Sequence, residues 1–202
     1  MQLNFLKSPY TKIVVFIWSL VPALLTGITL SQSTIADPAK LLVDNAGIWA
    51  LRFLWLSLLM TPLHILSKDS GFIRYRRMLG LFAFFYASIH VLAYWFLLFG
   101  AQWQWIWQEI QDRPYIMVGS LAYILLIPLA ISSTHRIRRY LKRHWFTLHK
   151  AIYLIAPLIL LHFTWVKKLG IEATAFYAIA LAGMFAIRIW HHYFHKNHNI
   201  KS

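Results

Sequence analysis

The sequence predicts an all-α, polytopic membrane bundle of six transmembrane helices, a single domain over residues 1–202 with both termini cytoplasmic. Three observations predict it. Hydrophobic residues make up 59% of the chain and charged residues only 13%. The apolar residues fall into several runs long enough to cross about 30 Å of hydrocarbon, and the basic residues gather in short segments between those runs. A net charge of +14 would suggest nucleic acid in a soluble chain. Here it marks the loops that stay in the cytoplasm, so the expected partner is the lipid bilayer and not nucleic acid. The chain has no cysteine, which excludes disulfides, cysteine-held iron–sulfur clusters, zinc ribbons and thioether-linked heme. Histidine remains as the strong nitrogen ligand.

The first span, 13–30, follows Lys7 and Lys12 as a signal peptide would, yet it is longer than a signal h-region and reads as a retained anchor. The second span, 47–66, ends before Lys68, and the third, 78–100, begins after Arg74, Arg76 and Arg77. Residues 102–111 then place Trp103, Ile106, Trp107 and Ile110 at helical spacing. This predicts an amphipathic helix in the outer interface or, as a sharper reading, a docking surface for a periplasmic partner. The fourth span, 115–132, leads into the most basic loop, with Arg136, Arg138, Arg139, Lys142, Arg143 and then Lys150. The fifth and sixth spans are 148–166 and 173–191. Fifteen of the twenty Lys and Arg lie in the N-terminus, the second and fourth loops and the tail (Arg188, Lys196, Lys201), which assigns those segments to the cytoplasm. Five of the six acids, Asp37, Asp44, Glu109, Asp112 and Glu172, fall on the other side with Lys40, Arg113, Lys167 and Lys168. No loop carries a Gly-rich phosphate fingerprint, so any redox chemistry takes its electrons from another molecule.

An imidazole deep in hydrocarbon is costly unless paired or ligated. His90 in the third span and His162 in the fifth are two such groups. Counted from the cytoplasmic starts of their spans they lie roughly 18 Å and 21 Å deep, both in the periplasmic half. The two helices run the same way, so the imidazoles can meet as axial ligands of one b-type heme, with Ala83 and Ala87 on the His90 face leaving room for the macrocycle. The blander alternative is that each histidine hydrogen-bonds a neighbouring helix. His149, at the cytoplasmic start of the fifth span, could ligate a second heme. Its side chain would stand roughly 140° from His162 on a straight helix, an objection that a kink at Pro157 relaxes. Its mate stays open: the matching depth on the third helix holds Arg76 and Arg77, and His64 is a possible substitute, though an interfacial polar role suits it better.

The stretches 47–54 (GIWALRFL), Thr61-Pro62-Leu63, 73–81 (IRYRRMLGL), Arg113-Pro114-Tyr115 and 145–154 (WFTLHKAIYL), with His90 and His162, resemble the YedZ/MsrQ family over nearly the whole chain. That family comprises heme-binding membrane subunits of a bacterial periplasmic protein-methionine-sulfoxide reductase system, within the wider ferric-reductase-like transmembrane group. The resemblance implies a conduit in the bacterial inner membrane. Electrons from the quinol pool, or from a cytoplasmic flavin reductase through FMN, would pass through heme b to a periplasmic molybdopterin methionine-sulfoxide reductase. The family's heme histidines fall on His90, His149 and His162. The wider group carries two histidines on helix three; here Arg77 stands at the expected second position.

The arginines then acquire possible roles beyond topology. Arg76 and Arg77, at the cytoplasmic mouth of the third helix, suit a heme propionate, FMN phosphate or a quinone carbonyl, because a planar guanidinium binds such groups through two donors. Arg52, inside the periplasmic end of the second span, either snorkels to the interface or neutralises a propionate of the His90/His162 heme. The histidines at 191, 192, 195 and 198 read as a polar tail rather than a metal tract. Three function classes compete: an electron-transfer subunit serving a separate reductase, a self-sufficient transmembrane ferric or oxygen reductase fed by an external flavin donor, and a heme-free transporter or assembly factor. Acidic residues are absent from the spans, which argues against a proton- or cation-coupled transporter.

Overall fold

In hydrocarbon every backbone N–H and C=O must find its partner inside the protein, so an apolar run of about 20 residues crosses as a helix. The computed structural model describes residues 8–32, 35–166 and 171–198, the side chains of 171, 173 and 194–198 excepted. Along the chain run α1 (Pro9–Leu30), α2 (Pro38–Ser67), α3 (Ile73–Ala93), α4 (Trp103–Asp112), α5 (Pro114–Ile131), α6 (His135–Leu141), α7 (His144–His149), α8 (Ile152–Val166) and α9 (Ile171–His198). Six segments are long and apolar enough to cross a membrane, with α7 and α8 together forming the fifth, and no strand occurs among the described residues. The protein is thus an all-α, multi-pass membrane bundle. Lys7, Lys167, Lys168 and Lys201, used above for topology, lie outside the described residues, as do the side chains of His195, Lys196 and His198.

Local chemistry sets the helix ends. α1, α2 and α5 open on Pro9, Pro38 and Pro114, at a position whose N–H would be unpaired anyway. Asp37 caps α2 by accepting from the Lys40 N–H at 2.9 Å. α2 therefore starts nine residues before the predicted span, carrying the Lys40–Asp44 ion pair on its exposed first turns. Lys68 ends α2 in the left-handed conformation, φ 57°. α3 continues into a π-helical turn, Tyr94–Leu98, one turn beyond His90; such turns mark functional sites more often than chance.

The fifth span is interrupted at Lys150 and Ala151, between α7 and α8. Backbone bonds there close over three residues, Lys150 to Thr147, Ala151 to Leu148, Tyr153 to Lys150 and Leu154 to Ala151, at 2.9–3.1 Å. Pro157, which leaves the Tyr153 carbonyl without its usual donor, lies inside α8, so the interruption stands upstream of the kink the sequence leads one to expect.

α2 and α3 pack most extensively, α5 packs against α8, and α9 lies on α2 and α8. Between them sits the core, built from Leu51, Leu54 and Leu58 of α2, Phe82 and Ala83 of α3, Leu126 of α5, Ile155 of α8 and Met184 of α9. α1 lies outside and turns Ile13, Ile17, Trp18, Leu24 and Ile28 outward, as a lipid-facing helix does. Two tyrosines of α3 hold it. The Tyr75 hydroxyl meets Thr11 Oγ1 at 2.8 Å. The Tyr86 hydroxyl donates to the Ser19 carbonyl at 2.8 Å and accepts the Ala23 N–H at 3.1 Å, beside Pro22. A side chain thus fills the gap that proline opens in the α1 ladder.

Candidate functional site

His90 of α3 and His162 of α8 face one another, ring centroids 6.3 Å apart and planes at 77°. Each is held by a helix that is not its own. His90 Nδ1 lies 2.8 Å from the Val43 carbonyl of α2, and His162 Nδ1 lies 2.6 Å from the Tyr115 carbonyl of α5. A carbonyl only accepts, so both Nδ1 atoms carry the proton, and each Nε2 is an unprotonated donor for a metal. One turn beyond each carbonyl stands a glycine against the imidazole. A Cβ on Gly47 would come within 2.9 Å of His90 Nδ1, and one on Gly119 within 2.6 Å of His162 Nδ1. The same carbonyl-then-glycine device, Val43 with Gly47 and Tyr115 with Gly119, serves both rings.

The site lies in the first turns of α2 and α5, towards the end of the bundle that carries Asp37, Asp44 and Glu109. The two histidines share a level, as their depths in the sequence predict. α4 closes this end: Ile106 is buried, while Trp103, Trp105 and Trp107 stay exposed, bearing out an amphipathic helix. Glu109 of α4 pairs with Arg113 at 2.7 Å. Arg113 also donates to the Tyr115 hydroxyl at 3.0 Å, and that hydroxyl and then Glu109 raise the Arg113 pKa above its ordinary value. The segment bearing the His162 acceptor is thereby fixed from outside. Ala87 is half-buried beside the core, but Ala83 is 1% exposed and packed within it. Ala83 therefore supports the helix interface and does not border open space.

At the opposite, basic end the His149 imidazole stacks on Trp145, centroids 4.0 Å apart, and directs Nδ1 to the Trp145 carbonyl at 3.1 Å. Trp145 is itself pinned, its Nε1 donating to the Ser132 carbonyl at 3.0 Å and its ring covered by Arg138 at 4.7 Å. His149 thus also has its Nδ1 engaged. His64 sits apart, its Nδ1 2.9 Å from the Asp69 carbonyl in the turn after α2.

The arginines separate. Arg77 is exposed and contacts His135 Nε2 at 3.0 Å. Arg76 is half-buried, its backbone carbonyl accepting from the Ser57 hydroxyl of α2 at 2.8 Å. Spacing explains this, since a step of 14 residues returns Arg76 nearly to the His90 face whereas 13 residues turn Arg77 well away. The inward position at this end of α3 therefore belongs to Arg76. Arg52 is exposed, with its guanidinium 4.7 Å from the Trp49 ring centroid and Nε 3.5 Å from the Tyr177 hydroxyl. Sequence reasoning missed two features. Gly119 and Val43 carried a signal only in the i, i+4 spacing to their partners, and Arg188, assigned to the tail, is 8% exposed inside the bundle.

Fold and site together define a multi-pass membrane protein with a bis-imidazole centre between parallel helices. Residues 46–160 match the family described as ferric reductase like transmembrane component. A heme-binding subunit MsrQ of protein-methionine-sulfoxide reductase from Xanthomonas euvesicatoria is 49% identical over 155 residues, 77% of this chain and 71% of the relative. One of the same description from Polaromonas naphthalenivorans is 38% identical over 194 residues, 94% of this chain and 89% of its own. The chain belongs to the YedZ/MsrQ family, within the ferric-reductase-like transmembrane group.

Proposed function

We propose that this protein is the inner-membrane subunit that carries electrons from the quinol pool, or from reduced flavin such as FMN supplied by a cytoplasmic flavin reductase, through heme b to a periplasmic molybdopterin methionine-sulfoxide reductase. The observation that carries this reading is the His90/His162 pair. Among the described residues no cluster of three or more His, Cys, Asp or Glu surrounds a metal position. Two imidazoles alone are too few for a protein-held ion but suit an iron whose other positions a porphyrin fills. The spacing fits as well: metal–imidazole bonds of about 2 Å, with each ring centroid about 1 Å behind its nitrogen, give roughly 6 Å between rings, against the observed 6.3 Å.

Bound heme would supply a one-electron carrier in the outer half of the membrane. The chain positions it. The Val43 and Tyr115 carbonyls set both tautomers and raise the basicity of the facing nitrogens, while Gly47 and Gly119 let the rings sit directly on backbone. His149 is the proposed further ligand near the cytoplasmic face, where Arg76 and Arg77 form the electron-receiving mouth. Arg52, braced by Trp49 and Tyr177, lies about one and a half turns from Gly47 and is proposed to neutralise a propionate. The basic end faces the cytoplasm.

A spectrum of detergent-purified protein tests the reading. The heme band should stay oxidised with NADH alone, become reduced when a flavin reductase plus FMN or a quinol analogue is added, and return with methionine-sulfoxide reductase and an oxidised protein substrate. Absence of any heme band, or reoxidation by ferric chelates but not by that reductase, overturns it.

A further inference from the structure

Arg188 is buried where the sequence places a tail, ten residues before the end of α9. One of its Nη atoms donates to the Leu58 carbonyl of α2. Its guanidinium carbon stands 5.9 Å from the Tyr153 ring centroid of α8, and its buried Nε has no hydrogen-bond partner. No carboxylate is seen paired with it among the described residues, and the Lys40–Asp44 and Arg113–Glu109 ion pairs lie at the acidic end.

A second cation is rooted nearby. The Ser57 hydroxyl, one residue before Leu58, donates to the backbone carbonyl of Arg76, so the α3 residue that bears this guanidinium sits beside the turn of α2 that Arg188 contacts, and like charges repel. A buried charge without a partner is strongly unfavourable, and a like charge beside it adds to the cost. Intramembrane cations that persist in such a place serve a ligand or a pathway.

We propose that Arg188 and Arg76 form an oxyanion site at the basic end, between α2, α3, α8 and α9, which takes the carboxylate or phosphate of an amphipathic ligand. Arg188 Nε–H and its remaining Nη protons offer the forked edge that such groups accept. Tyr153 gives the ligand an apolar wall. Two sources share this chemistry: a phospholipid headgroup, and a propionate of a heme near His149. Only the second rests on the function proposed above.

The test uses full-length protein in detergent with Arg188→Met, which keeps the volume and removes the charge, Arg188→Lys and Arg76→Met. The readouts are co-purifying phosphorus, melting temperature, and the midpoint potential of the His149-dependent heme. A phospholipid source predicts that Arg188→Met loses about one phosphorus per chain, and that phosphatidylglycerol added in mixed micelles raises the melting temperature of the parent but not of the variant. A propionate source predicts unchanged phosphorus with a lowered midpoint potential and a loosened heme. In either case Arg76→Met moves the same readout and Arg188→Lys moves it less. A protein without heme removes the second source and the proposed function while leaving the phosphorus arm intact. If neither phosphorus nor potential moves in Arg188→Met, no anion is held and the proposal is overturned, whatever the melting temperature; a rise would mark the loss of an uncompensated charge.

Discussion

Each imidazole of the central pair is governed by two backbone features on a neighbouring helix, so the decisive residues at this scale include some with no chemistry of their own. Replacing His90 or His162 by Ala should each abolish the same low-spin b-type signal, read as the reduced α-band of folded, inserted protein, because one iron needs both. Gly119→Ala should be nearly as damaging. Its Cβ would fall 2.6 Å from His162 Nδ1, whereas Gly47→Ala would place one 2.9 Å from His90 Nδ1, so Gly119→Ala should shift the axial-ligand EPR signal further. Equal and unperturbed signals in both variants would reject the cradle. The histidines were legible because a polar ring in an apolar run stands out. The glycines were not, since a glycine in such a run looks the same whether it faces lipid or a ligand. Arg188 was misread because counting charges by segment says nothing about the direction in which a side chain points.

Of the two tyrosine hydroxyls that hold α1, only that of Tyr86 enters its backbone ladder. Tyr86→Phe keeps the ring stacked on Phe53, 5.2 Å away at 13°, but leaves the Ser19 carbonyl and the Ala23 N–H unpaired in apolar surroundings. The expected loss is about 1–3 kcal/mol, measurable as a shift in detergent or denaturant unfolding. A change confined to a few tenths would show that α1 re-forms its own ladder. Pro157→Ala should let α7 and α8 join and rotate His149 relative to His162, so any absorbance lost in His149→Ala should fall in this variant while the His90/His162 band persists. The six spans were readable from hydropathy, but the extended start of α2 was hidden by Lys40 and Asp44, which neutralise each other on one helical face. The break at Lys150 and Ala151 was hidden because it falls seven and six residues before Pro157, beyond the Tyr153 carbonyl on which that ring acts.

Across the whole molecule the charge asymmetry makes a prediction about sidedness. Ser70, in the turn before α3, and Gln111, at the end of α4, are exposed at opposite ends. Cysteines placed there should react with a membrane-impermeant thiol reagent from opposite faces, with position 111 reached from the periplasm; labelling of both from one side would reject the orientation. The paired carbonyls have an effect at this scale too. With both Nδ1 protons committed to carbonyls and, in the proposed heme-bound form, both opposite nitrogens on iron, neither ring would keep a lone pair for hydrogen. The midpoint potential should then be flat against pH across the neutral range, and a slope of one proton per electron would count against it. If the acidic end faces the periplasm and electrons leave there, as proposed, each transfer moves bare negative charge outward, and an inside-negative potential would drive that current forward.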